Sequence, residues 1–193
     1  MTPFDLLFLV AVLAAVVTLV VAAYQAIRGR AARAGTILLR LAVSAAFYLG
    51  IVALVSLLSP RRVLHVGDPR CFDDWCFAVE HVQHAPGPQG VVYQIDLRLF
   101  SEAKRISQRE NGVAVYLTDS SGRRFDPDPA PTAPPWNVLL GPGESVTTTR
   151  VFHLPAAASD VGLILEHGGF NPGVVVIGDD SSLLHKRTVV RFD

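Results

Sequence analysis

Methionine occurs once in this chain of 193 residues, as Met1, and cysteine only twice, as Cys71 and Cys76. The missing methionine removes the weak axial ligand that a blue-copper site on a β-sandwich ordinarily uses, and a Cys-x4-Cys spacing differs from the dinuclear copper motif of oxidase subunits. No P-loop, dinucleotide-binding glycine pattern, EF-hand loop or G-x-S-x-G nucleophile elbow is present. Charge is almost missing from the first 60 residues, where only Asp5, Arg28, Arg30, Arg33 and Arg40 carry it. The other 13 basic and 16 acidic residues lie from Arg61 onward, a formal charge of −3 that excludes a basic nucleic-acid surface.

What fills the charge-poor third is hydrocarbon. Phe4 to Ile27 reads FDLLFLVAVLAAVVTLVVAAYQAI, apolar on every face, and Thr36 to Leu58 is a second such run. A bilayer core of roughly 30 Å needs about 20 residues at about 1.5 Å each, so residues 1–60 read as a two-helix transmembrane anchor, with helices at about 4–27 and 36–58. Arg40 lies one turn into the second run and can snorkel to the interface. The linker RGRAARAG carries Arg28, Arg30 and Arg33, and the positive-inside rule assigns it to the cytoplasm, which leaves both ends of the chain outside. A cleavable signal peptide is the competing reading of the first run. MTPFD lacks a basic start, the run is long, and VAAYQAIRG is a poor cleavage site, so retention as a helix is expected.

After Pro60 the period changes to two. In VVYQIDLRLF, Val91, Tyr93, Ile95, Leu97 and Leu99 share one face while Gln94, Asp96 and Arg98 share the other. Similar runs stand at 75–82, 113–119, 146–154, 161–167 and 187–192, separated by HAPGPQG, DSSGRRF, LLGPGES and GGFNPG. DPDPAPTAPP at 126–135 has five prolines and must be an extended connection, while SEAKRISQREN at 101–111 is polar enough for a loop. Residues 61–193 are thus expected to form one all-β sandwich behind the α-helical transmembrane hairpin.

The order of these motifs resembles bacterial telokin-like immunoglobulin-fold domains. The matching residues are Trp75, Phe77 and Val79; then Val115, Leu117, Asp119, Gly122, Arg123 and Phe125; then Leu140, Pro142, Gly143, Glu144, Val146, Phe152, Leu154 and Pro155. The resemblance covers roughly residues 63–193 and implies an immunoglobulin-like sandwich on a secreted or membrane-tethered protein, without implying an activity. The chain departs from the pattern in its two cysteines and in the tail from Gly168 to Leu184.

CFDDWC, residues Cys71 to Cys76, admits several chemistries. A thioredoxin-type dithiol has two intervening residues before a helix, whereas four intervene here and a strand follows. Zinc would need further ligands; His65, His81 and His84 are near in sequence, without a Cys-x2-Cys or His-x3-His pair. A disulfide between Cys71 and Cys76 is the first reading, because paired cysteines outside the cytoplasm are normally oxidised, and metal or thiol-redox use of the pair with nearby histidines is the alternative. An extended chain would hold the two Cα atoms roughly 16 Å apart, against about 4.4–6.8 Å for a bridge, so Phe72 to Trp75 must turn. Trp75 then reads as a packing residue.

The carboxylate pairs Asp73/Asp74, Asp126/Asp128 and Asp179/Asp180 read as turn caps before they read as calcium ligands. Ser181, His185 and Asp180 would make a triad only with an oxyanion-hole segment, which is missing. VVVIG, with Val174 and Val176, is expected as one more strand, the other possibility being an exposed apolar patch. Ala42 and Ala46 share a helical face that could meet a partner helix. The sequence therefore points to no catalytic, cofactor or metal residue. It points to an interaction or structural module of a bacterial inner (plasma) membrane, with the C-terminal domain periplasmic or extracellular. Its expected partners are the lipid bilayer and an envelope protein, and not nucleic acid.

Overall fold

A computed structural model of the chain describes residues 3–88, 90–166 and 172–192. It comprises two compact units, Met1–Pro60 with Pro172–Lys186, and Arg61–Asn171 with Arg187–Asp193.

In the first unit, α1 spans Pro3–Ile27 and α2 spans Ala31–Leu58. Both are long and apolar enough to cross a membrane, and both stay exposed over most of their length, Leu13 at 64% and Phe47 at 73%. A core helix of a water-soluble domain would hide such side chains. The hydroxyls of Thr18 and Thr36 donate to the carbonyls of Ala14 and Ala32 one turn earlier, so neither needs water as a partner. α1 ends in a Schellman motif: Gly29 is left-handed at φ +73°, its amide donates to the Ala26 carbonyl, and the Arg30 amide donates to the Gln25 carbonyl. α2 begins five residues earlier than expected. The run AARA is made of strong helix formers, so RGRAARAG shrinks to a three-residue link, Arg28 to Arg30.

The other part of this unit corrects the expectation for VVVIG. Pro172–Val175 forms a 3-10 turn and no strand, and bends follow it. Proline at its first position has no amide to give a ladder, and the Val176 amide closes on the Gly173 carbonyl. The rest of the expected tail, 168–171, lies outside the described residues.

The second unit is a β-sandwich. One sheet has the order β2 (Arg70–Phe72), β3 (Trp75–Gly87), β4 (Gly90–Ser101), β7 (Ser145–Leu154) and is antiparallel throughout. The other has the order β1 (Val63–Leu64), β9 (Val189–Arg191), β8 (Gly162–Glu166), β5 (Ala114–Thr118), β6 (Arg124–Phe125), with β1 and β9 parallel. Alternation decides what lies between them. Ile95, Leu97 and Leu99 of β4, Phe77 and Val79 of β3, and Phe152 of β7 meet Leu117 and Leu163 of the opposite sheet in one core. The expected face of β4 is the buried one. Gly90 sits where β4 leaves its hairpin at φ +148°, and a Cβ there would stand 2.0 Å from the Leu154 carbonyl oxygen, so only glycine lets the neighbouring chain approach.

Two polar devices hold the sandwich loops. At the β5–β6 hairpin, Asp119 accepts from the amides of Ser121 and Arg123, from the Ser121 hydroxyl and from Arg123 Nε. Burial pushes this carboxyl up, but the hydrogen bonds from Ser121 and Arg123 and the Arg123 charge outweigh it and hold the pKa at about 2. On β7, Arg150 points inward and is buried. Its guanidinium donates to Thr148 Oγ1, the Thr149 carbonyl and the Pro134 carbonyl, and lies 4.4 Å from the centre of the Trp136 ring. The proline-rich connection 126–135 is thereby pinned.

Candidate functional site

The CFDDWC segment folds as a hairpin tighter than expected. Phe72 pairs with Trp75 and Cys71 with Cys76, so only Asp73 and Asp74 turn the chain, Asp73 at φ +53°. Aspartate tolerates the left-handed region because its short side chain bonds locally. Opposed strand positions bring the two Cα atoms to 3.9 Å, and the sulfurs are bonded as a disulfide. The Asp74 carbonyl accepts from the Glu102 amide at 2.8 Å, and its carboxylate accepts from Gln108 Nε2. Trp75 is 1% exposed and belongs to the core, with Phe72 stacked 6.3 Å from it.

The same hairpin sets the metal chemistry available. Sγ of Cys71, Sγ of Cys76 and a Glu102 carboxylate oxygen lie within 4.8 Å of one another. Thiolates bind metals, and the disulfide ties up both sulfurs. The histidines considered with the pair go elsewhere: His65 contacts Asp68 at 3.6 Å, His81 is opposite Asp96 in the β3–β4 ladder, and His84 packs 5.4 Å from the Tyr93 ring.

The remaining candidates are dispersed. Asp126 pairs with Arg124 at 2.6 Å and Asp128 with His153 at 2.9 Å. Asp179 caps the Ser181 amide at 2.7 Å, as a turn aspartate does. His185 Nδ1 donates to the Lys186 carbonyl, so that ring nitrogen is taken by its own backbone.

A concave site does exist on the sandwich, and of its residues only His84 was a candidate in the sequence, as a neighbour of the cysteine pair. A cleft of about 450 Å³ is lined by Val82 and His84 of β3, Tyr93 of β4, Asp160 and Val161 before β8, Arg191 of β9, and Phe192. His84, Tyr93 and Phe192 form a row of rings, the second pair 6.1 Å apart. Arg191 grips Asp160 with Nη1 at 2.6 Å and Nη2 at 3.0 Å from the two carboxylate oxygens. This forked geometry fixes both side chains. The lining offers aromatic faces and an ion pair, the equipment of a binding cleft; no serine, threonine, cysteine or lysine stands beside His84 among its lining residues. Three distant chain segments build it, so no local motif could announce it.

A second polar cluster lies on β5. The Tyr116 hydroxyl donates to Glu166 at 2.7 Å, accepts from Arg187 at 2.6 Å, and Arg187 also pairs with Glu166. Burial first, then the Glu166 carboxylate, push the phenol up to about 12. Arg124 lies 4.1 Å from the centre of the Tyr116 ring.

No known family matches the chain, and no curated protein matches it in sequence. Solved structures with a related outline include the yjhA protein of Bacillus subtilis, 14% identical, with 67% of this chain and 99% of that one covered at a TM-score of 0.44. MPT63, a secreted protein of Mycobacterium tuberculosis, is 12% identical over 69% of this chain and 98% of its own, at 0.45. An uncharacterized β-sandwich protein of Clostridium difficile 630 is 10% identical over 70% and 96%, at 0.43. None of these overlaps is close enough to transfer a property.

Proposed function

We propose that the chain is a membrane-anchored module of the bacterial envelope that works by binding and not by catalysis. Its two helices hold it in the inner membrane, and its sandwich, of the telokin-like immunoglobulin type, serves an envelope protein partner on the extracytoplasmic side. The observation that carries this reading is the exposure of α1 and α2: large apolar side chains cover both helices and only hydrocarbon suits them. The Cys71–Cys76 disulfide supports an oxidising compartment for the sandwich. Arg28 and Arg30 of the link, with Arg33 in the first turn of α2, support a cytoplasmic position for it. The His84–Tyr93–Phe192 cleft is the surface such a partner would use.

The test is topological. In intact spheroplasts, externally added protease should remove the sandwich while the protein stays with the membrane on carbonate washing. Digestion only after lysis would place the sandwich inside and end the reading.

One juxtaposition favours a second function. Reduction would release two thiolates beside Glu102, and Cys71 is exposed to a reductant. Stoichiometric zinc uptake by the reduced full-length protein, lost in Cys76→Ser, would support a metal or thiol-redox role, and no uptake would remove it.

A further inference from the structure

Pro172–Lys186 groups with the helices and not with the sandwich that flanks it in sequence. Two side chains of α2 hold it. The Tyr48 hydroxyl donates to the Val175 carbonyl at 2.8 Å, and Ser56 Oγ lies 2.6 Å from Ser182 Oγ with both serines buried. Ser56 already gives its proton to the Val52 carbonyl, so Ser182 is the donor of that pair. Tyr48, Val52 and Ser56 succeed one another at four-residue steps and share one face of α2. Val52 and Ser56 are fully buried, on a helix that is otherwise largely exposed.

The segment pairs part of its backbone within itself. Val176 closes on Gly173, Ser182 on Asp179, Leu183 on Val174 and His185 on Ser182, each between amide and carbonyl. Irregular chain is excluded from the hydrocarbon itself, which confines such a segment to the interface, and these pairings reduce the number of polar groups it leaves open there. Three of its apolar side chains nevertheless stay exposed, Val174, Leu183 and Leu184 at 39%, 44% and 56%, while Val176 is buried. Leu184 is held at φ +67°, a conformation leucine avoids. Depth follows from helix length. α2 has 28 residues, about 42 Å, against a hydrocarbon core of roughly 30 Å. With Arg33 at one interface, about 20 residues bring the opposite boundary between Tyr48 and Ser56, where tyrosine is at home.

We propose that residues 172–186 form an interfacial insertion loop. Docked along the outer end of α2 through Tyr48 and Ser56, the loop sinks Val174, Leu183 and Leu184 into the boundary between acyl chains and headgroups of the same leaflet. The occupant of this apolar surface is lipid. The inference rests on the membrane-anchor reading above and adds a third contact with the bilayer.

Depth-dependent quenching tests it on the full-length protein in phosphatidylcholine proteoliposomes. Leu184→Cys carries an environment-sensitive fluorophore while Cys71 and Cys76 remain bridged, and Phe47→Cys on α2 is labelled in parallel. Lipids brominated high on the acyl chain should quench the Leu184 probe, and lipids brominated near the chain end should quench it less. Quenching of the Phe47 probe without any at Leu184, whether the loop is in water or against protein, overturns the insertion loop and leaves the anchor standing. Absence of quenching at both positions overturns the anchor, and the loop with it.

Discussion

The two units are both rich in aliphatic side chains, and they place them oppositely. In the helical unit Leu13, Val20 and Phe47 are more than half exposed; in the sandwich Ile95, Leu97, Leu99 and Phe152 are wholly buried. Water decides the second arrangement, since burying an apolar side chain gains roughly 1.5–3 kcal/mol, and it forces strands to alternate. Along the helices no alternation is seen: their pattern is uniform, and the hydroxyls of Thr18 and Thr36 turn inward to the backbone. One polypeptide therefore carries the same kind of side chain in two opposite arrangements.

The comparison is broken most severely in the sandwich core. Phe152→Ala should cost about 3–5 kcal/mol by lost burial and the cavity left behind. Because Trp75 and Trp136 are the only tryptophans and both lie in the sandwich, denaturation followed by their fluorescence in detergent reports this unit alone. Membrane retention should not change; if it falls in parallel, the two units are not energetically separate. The converse substitution, Val16→Arg near the middle of α1, should cost about 2.5–3.5 kcal/mol of insertion and appear as protein released by alkaline carbonate, with the tryptophan transition unmoved.

Smaller effects sharpen the picture of the sandwich. Replacing both cysteines by serine frees a loop of six residues, which the chain-entropy treatment values at about 2 kcal/mol. The unfolding midpoint should drop accordingly, and a midpoint equal to that of the reduced wild type would confirm that the bridge is the cause. The gentlest perturbation is acid. The Asp119 pKa is held at about 2, below the ordinary carboxylate value near 4, so its stabilisation is complete above about pH 4 and is lost as pH falls through about 2. Asp119→Asn should flatten the decline of stability in that window; an unchanged slope would show that other carboxylates carry it.

These tests bear on how far the sequence speaks. The period-two pattern of Val91 to Leu99 and the uniform run of Phe4 to Ile27 each reflect one solvent acting on one element, and both are readable locally. The pairing of Cys71 with Cys76 was legible, but its two-residue turn was not. Spacing shows that a chain must bend, whereas the register of Phe72 against Trp75 depends on the neighbouring strand. VVVIG misled for a related reason. Its composition suits a strand, yet its carbonyl at Val175 is claimed by Tyr48, more than a hundred residues earlier. Arg150 in VTTTRVFHL shares the buried face of its strand with Phe152, and what receives its charge there, Pro134 and Trp136, comes from another segment. The cleft of Tyr93, Asp160 and Phe192 was invisible because no two of these residues are neighbours in the chain.

That arginine has a wider consequence. Residues 126–135 contain five prolines and so have few amides with which to fasten themselves to a sheet. Their course over the sandwich depends on what other groups offer to their carbonyls, and the Arg150 fork meets Pro134 while Thr148 Oγ1 meets the same oxygen at 3.1 Å. A lysine, with a compact ammonium and no flat face to lay on Trp136, could not hold both the ring and the carbonyl in that geometry. The route of this ten-residue crossing is thus set from β7: the Val151 carbonyl takes the Asp128 amide near its start, and Arg150 with Thr148 takes the Pro134 carbonyl near its end.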